Sequence, residues 1–107
     1  FAKAVAGIPR DAGVIMLSHR PYRPKGAFDR AFLVFSGHTH GGMIPGVDLV
    51  VGYSNEGYVS GLYHDYGRSL IVSNGTGIWS GFPLRLTPHL ADNVIVTLRS
   101  ENTLNKR

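Results

Sequence analysis

Short apolar runs divide the chain, and each run ends at a polar or glycine-rich segment. Residues 13–17 and residues 31–35 are apolar or glycine throughout, a pattern typical of strands that are covered on both faces of a sheet. Each run is followed by a serine, and a histidine comes within the next three residues. Because such sheets place ligand sites beyond the carboxyl ends of their strands, we expect the functional site at these two strand ends.

The second half of the chain has the pattern of antiparallel strands. Residues 58–63 and residues 69–73 flank a polar turn, which predicts a hairpin with Gly67 as its positive-φ residue. Residues 93–99 predict a further strand, whereas residues 47–51 are apolar but too few to assign to helix or strand. The pattern as a whole predicts an α/β chain that consists mainly of strands, with short helices.

The composition is that of a globular domain, with 43% hydrophobic and 17% charged residues. The absence of cysteine excludes a disulfide framework, a thiolate metal site and a cysteine nucleophile. No apolar run approaches the roughly twenty residues that a membrane-spanning helix needs. The formal net charge of +4 suits an anionic partner, which by charge alone is a phosphate ester, a nucleic acid or a membrane headgroup.

The strongest chemical signal is the Ser-Gly-His-Thr-His-Gly-Gly sequence of residues 36–42. On an extended segment, His38 and His40 would project to the same side with Cα atoms about 6.5 Å apart. They would then bind one metal ion, or one ion each of a pair about 3.5–4 Å apart. Neutral imidazole binds Zn, Mn, Fe or Ni, and the flanking glycines let the backbone turn sharply. The alternative is a pair of surface histidines on a glycine-rich turn.

His19 is a third candidate ligand because its setting matches that of His38. Adjacent parallel strands lie about 4.8 Å apart, so pairing of the two apolar runs would bring both histidines to one ion. A hydrolytic two-metal centre also uses a bridging carboxylate to hold its cations together. No aspartate directly follows an apolar strand in this sequence. The three histidines are therefore predicted to form an incomplete metal site.

These elements resemble the second half of calcineurin-like metallophosphoesterases, over roughly residues 13–99. The segments that carry the resemblance are Ser18-His19, residues 36–42, residues 58–63, residues 71–77 and Pro83-Leu84-Arg85. The likeness is greatest to the bacterial branch of small phosphodiesterases, whose relatives include UDP-diacylglucosamine pyrophosphohydrolases.

The resemblance implies a four-layer α/β/β/α sandwich of two mixed sheets. Residues 1–107 would be the C-terminal part of that single domain. The family's first half supplies Asp-x-His, Gly-Asp and Gly-Asn-His motifs, none of which stands in this sequence. The implied activity is metal-dependent hydrolysis of a phosphodiester, pyrophosphate or phosphomonoester by the full-length protein, with the isolated chain inactive.

By the same resemblance, His19 and His38 would bind one ion of a dinuclear centre and His40 the other. The implied cofactors are two divalent ions, chosen from Mn, Fe, Zn and Ni. Arg20 and Arg85 are candidate phosphate contacts because a guanidinium binds two oxygens at once; the alternative for each is a solvated or structural ion pair. No catalytic residue is assigned within the chain.

Other functions stay open at this point. The chain is alternatively an inactive metal-binding or self-associating module, or, less favoured, a nucleic-acid-binding domain that uses residues 20–30. The expected partners are a phosphate-ester substrate, the N-terminal half of the same domain and a second copy of the chain. Membrane association would come from an N-terminal region, and a bacterial cytoplasmic, membrane-associated or exported location rests on the resemblance alone.

Overall fold

The computed structural model describes residues 2–21, 30–65, 67–76, 78, 86 and 91–100. Within these residues a mixed sheet of four strands is accompanied by one α-helix, which follows the second strand. The elements are β1 (Val14–Ser18), β2 (Ala31–Ser36), α1 (Val47–Ser54), β3 (Gly61–Asp65) and β4 (Arg68–Val72).

The strands lie in the order β1-β2-β4-β3. β2 pairs in parallel with both β1 and β4, whereas β3 pairs antiparallel with β4. The predicted hairpin is confirmed, since Asp65 lies opposite Arg68 and Gly67 has a φ of 75°. The mixed sheet with few short helices also confirms the predicted α/β class.

The core lies on one face of the two central strands. Val34, Leu70 and Val72 are almost fully buried there and pack with Val14 and Tyr58. Full burial of side chains of this size stabilises a fold by about 1.5–3 kcal/mol each. These contacts hold β2 and β4 in place and thereby fix the strand ends that carry the candidate site.

One sequence-based prediction differs from the structure, and one segment that the pattern left unassigned is defined by it. The unassigned residues 47–51 form the first part of α1. The strand predicted at residues 93–99 is wrong, because residues 91–100 form no strand and the side chain of Ile95 is 93% exposed. Apolar residues favour a strand when they pack against neighbouring strands and other buried side chains. No described strand pairs with this segment. Among the described helices, none has the length and apolar character to cross a bilayer.

On the opposite face of the sheet Leu33 and Ile71 are also buried, but the end of β1 is apolar and uncovered among the described residues. Leu17 is 80% exposed, and it lines an open groove of about 480 Å³ with Phe35, Ile71 and Val94. Exposed contiguous apolar surface of this kind is typical of interaction sites.

We expect the 107-residue chain to self-associate through this face. Leu17→Lys should shift it toward monomer in analytical ultracentrifugation, because the new charge would have to be desolvated in the contact. Leu49→Lys is the matched control, since Leu49 is 75% exposed on α1, away from the groove. A wild-type chain that is monomeric, or equal effects of the two substitutions, would contradict the prediction.

Candidate metal centre

The carboxyl ends of β1 and β2 bring two of the predicted ligands together. Ser18 lies opposite Ser36, and beyond the strands the Gly37 N–H donates to the carbonyl of His19 at 3.2 Å. As a result His38 Nδ1 lies 2.9 Å from His19 Nε2, with ring centroids 4.7 Å apart and ring planes at 67°. The expected convergence of these two histidines is present in the structure, while their role as ligands stays a prediction.

The distance between the two ring nitrogens fits a shared metal ion. With metal–nitrogen bonds of about 2.1 Å, two ligand nitrogens lie about 3.0 Å apart at a right angle and about 3.4 Å apart in a tetrahedron. The same 2.9 Å also fits a hydrogen bond between two imidazoles. A metal would take the place of that shared proton, because ligand imidazoles must be deprotonated.

The electrostatic surroundings keep His38 in the form that binds metals. Partial burial of the imidazole lowers its pKa from the ordinary value of 6.5. That pKa is lowered further by His19, Arg20 and His40, because a protonated His38 would be repelled by positive charge on these neighbours. His38 is therefore neutral at pH 7, with a lone pair available to a cation.

The segment that joins His38 to His40 is a tight turn, so the extended geometry expected from the sequence is wrong. His38 has a φ of 71° and His40 a φ of 50°, both in the left-handed region, while Thr39 between them is right-handed. A 3₁₀ turn follows over His40–Gly42. The turn forms because the Thr39 N–H bonds to the Gly37 carbonyl at 2.9 Å, and a neighbouring glycine lets the chain reverse.

His40 lies close to the pair but apart from it. Its Nδ1 is buried and has no hydrogen-bond partner among the described residues. His38 and His40 line a small pocket together with Ser73 and Asn74, at the end of β4. Within the described part of the chain, no group of three or more histidine or carboxylate side chains converges on one point. The described chain thus offers a pair of imidazoles and a third one beside it.

Arg20 lies beside the histidine pair and is exposed to solvent. Its guanidinium donates to the Ser54 carbonyl at 3.4 Å, at the C-terminal end of α1, where a cation is favourable. The other predicted phosphate contact, Arg85, lies outside the described residues.

Sequence reasoning missed two residues that shape the site. The Thr39 hydroxyl donates to the Val59 carbonyl at 2.6 Å. The Asp92 carboxylate accepts the Ser73 hydroxyl at 2.5 Å and the Asn74 N–H at 3.1 Å, and so holds the turn that follows β4. Both contacts join residues about twenty positions apart, and no local sequence pattern indicates such a pairing.

Several known proteins are similar to this chain over most of its length. Uncharacterized metallophosphoesterases from two strains of Helicobacter pylori are 39% and 40% identical over alignments of 88 residues, which cover 79% of the chain. A Danio rerio transmembrane protein with a metallophosphoesterase domain is 32% identical over an alignment of 88 residues, which covers 78% of the chain. No family model and no solved structure matches. The chain spans about a fifth of the length of these relatives: 22% of each Helicobacter pylori protein and 20% of the Danio rerio protein.

Gly42 is a glycine of the turn at which a side chain has no room. A Cβ there would lie 2.5 Å from Asp48 Cβ and 2.6 Å from Asp48 Cα, and its φ is 77°. We expect Gly42→Ala to lower the free energy of unfolding by about 2–5 kcal/mol in urea denaturation, from left-handed strain plus overpacking. Gly46→Ala is the control, since Gly46 has a φ of 89° but open space around it. In Gly46→Ala, left-handed strain alone should lower the free energy of unfolding by about 1–2 kcal/mol. Equal losses in the two variants would count against the close contact.

The lowered pKa of His38 also predicts a pH dependence of stability in the metal-free chain. Its folded-state pKa lies below the ordinary 6.5, so the folded chain binds fewer protons than the unfolded chain. The contribution of His38 to stability is therefore complete above pH 6.5 and is lost as the pH falls through the folded-state value. Denaturant unfolding at pH 7.5 and pH 5 should show a larger loss for wild type than for His38→Gln. Identical losses would contradict the prediction.

Proposed function

We propose that the whole protein is a metal-dependent phosphoester hydrolase. The relatives of this chain support a metallophosphoesterase family, and the proposal follows from that family. In this proposal a two-metal centre hydrolyses a phosphodiester, a pyrophosphate or a phosphomonoester, and this chain contributes histidine ligands. The observation that carries the proposal is the 2.9 Å approach of His19 Nε2 and His38 Nδ1 at two neighbouring strand ends.

The donor atoms of the three histidines fit such a centre. His19 and His38 would hold one ion, and the buried Nδ1 of His40, which has no partner among the described residues, is suited to the second. When bound, two divalent ions of Mn, Fe, Zn or Ni would polarise the phosphoryl group and supply an activated water. The acidic ligands would belong, in this proposal, to the remainder of the whole protein; the matched segment is 22% of the Helicobacter pylori relative.

Arg20 is the proposed phosphate contact within the described residues. Its guanidinium is exposed beside His38, and a bond of 3.4 Å to the Ser54 carbonyl is readily exchanged for a charge-assisted bond to a phosphate oxygen. Arg85 is proposed for the same role from the resemblance of its Pro-x-Arg segment. Both side chains would orient the ester and neutralise its charge.

The same proposal includes the branch of the family and the class of substrate. The sequences of residues 36–42 and 71–77 resemble those of bacterial small phosphodiesterases related to UDP-diacylglucosamine pyrophosphohydrolases. We therefore expect phosphodiesters or pyrophosphates to be better substrates than monoesters. A panel of all three ester classes, assayed with the full-length protein, distinguishes these expectations.

A second candidate function is a metal-binding module without hydrolysis, because the close approach of His19 Nε2 and His38 Nδ1 would by itself suit a cation. A full-length protein that binds Mn²⁺ but hydrolyses none of the three ester classes would support this alternative. The nucleic-acid alternative gains nothing further, since residues 22–29 lie outside the described residues.

The esterase proposal predicts a metal-dependent activity that His38 supports. Full-length protein should lose hydrolysis of an aryl phosphodiester with chelator and regain it with Mn²⁺. His38→Gln should lower kcat/KM by at least about 100-fold, because a lost ligand costs at least as much as a lost supporting residue. His64→Gln is the control, since His64 is exposed on β3 and bonds to Ser69. An activity that survives chelation, or a His38→Gln variant as active as the control, would refute the proposal.

A further inference from the structure

Thr39 is a buried polar residue between two of the proposed ligands, and it is bonded through each of its polar groups. Its side chain is 3% exposed, and its hydroxyl donates to the Val59 carbonyl at 2.6 Å. Its N–H donates to the Gly37 carbonyl, and its own carbonyl accepts the Gly42 N–H, both at 2.9 Å. The two main-chain bonds lie within the turn, whereas the hydroxyl bond joins the turn to a different part of the fold.

The acceptor of that bond is itself firmly held. The N–H groups of Val59 and Ser60 donate to the Tyr63 hydroxyl at 3.0 and 3.2 Å. The ring of Tyr63 packs edge to face on Tyr58, which belongs to the core, with centroids 4.9 Å apart. The Val59 carbonyl is therefore a fixed point to which the turn is attached.

The residues on both sides of Thr39 have strained backbones. His38 and His40 have φ values of 71° and 50°, in a region that costs a residue with a side chain about 1–2 kcal/mol. Such conformations persist where the surroundings hold them. The hydroxyl bond to Val59 is the long-range side-chain contact of the residue between them, and it opposes relaxation of the turn.

We propose that Thr39 is a positioning residue for the metal centre, one whose hydroxyl bond to Val59 holds the imidazoles of His38 and His40 in their ligand directions. The inference rests on the proposed function, since it assigns Thr39 a part in the same site. It differs from a purely structural role in one measurable respect. A structural bond contributes stability alone, whereas a positioning bond also sets metal affinity, which depends on ligand placement to within about 0.5 Å.

The test compares Thr39→Val, which keeps the shape but removes the hydroxyl, with Thr39→Ser, which keeps the hydroxyl. Metal-free full-length protein is titrated with Mn²⁺ by calorimetry, and folding is followed by circular dichroism and thermal melting. We expect Thr39→Val to bind Mn²⁺ about 10–100-fold more weakly and Thr39→Ser to stay within about threefold of wild type. Wild-type affinity in Thr39→Val, or equal weakening in both variants, would overturn the inference.

A second variant covers the case in which Thr39→Val does not fold. Tyr63→Phe removes the hydroxyl that holds the Val59 segment and leaves the Thr39 hydroxyl intact. We expect it to weaken Mn²⁺ binding by about 10-fold, at the lower end of the effects of supporting residues. Unchanged affinity in Tyr63→Phe would then overturn the inference. Wild-type protein that binds no Mn²⁺ would refute the proposed function itself, an outcome distinct from any difference between variants.

Discussion

The parallel pairing of β1 with β2 is the interaction on which the candidate site depends. The register that sets Ser18 opposite Ser36 continues beyond the strands through the bond from the Gly37 N–H to the His19 carbonyl. It brings two imidazoles from distant parts of the sequence within 2.9 Å of each other. A slip of one residue in this register would turn the side chains of one strand to the opposite face of the sheet and separate the rings.

The second constraint is the turn that follows β2. The backbone there is irregular: two histidines are in the left-handed conformation, and a glycine packs against the start of α1. Strain of this kind is characteristic of functional sites and is held by the surroundings. Burial lowers the pKa of His38 from its ordinary value, which is consistent with such a site, because a neutral imidazole binds cations and a protonated one repels them.

Much of this arrangement follows from the sequence. Two continuous apolar runs, each followed by a serine and a nearby histidine, predict two buried strands whose carboxyl ends carry the site. Apolar character alone was a weaker guide. It left residues 47–51 unassigned, although they form part of a helix, and it predicted a strand at residues 93–99, which pair with no described strand. The bonds of Thr39 to Val59 and of Asp92 to Ser73 depend on tertiary packing, which no local pattern of residues encodes.

The most direct test of the central claim is a crystal structure of the full-length protein with Mn²⁺, measured for anomalous scattering at the manganese edge. We expect an anomalous peak from an ion bonded to both His19 Nε2 and His38 Nδ1, at about 2.0–2.3 Å from each nitrogen. A structure in which the two rings keep their mutual hydrogen bond while manganese binds elsewhere, or nowhere, would contradict it.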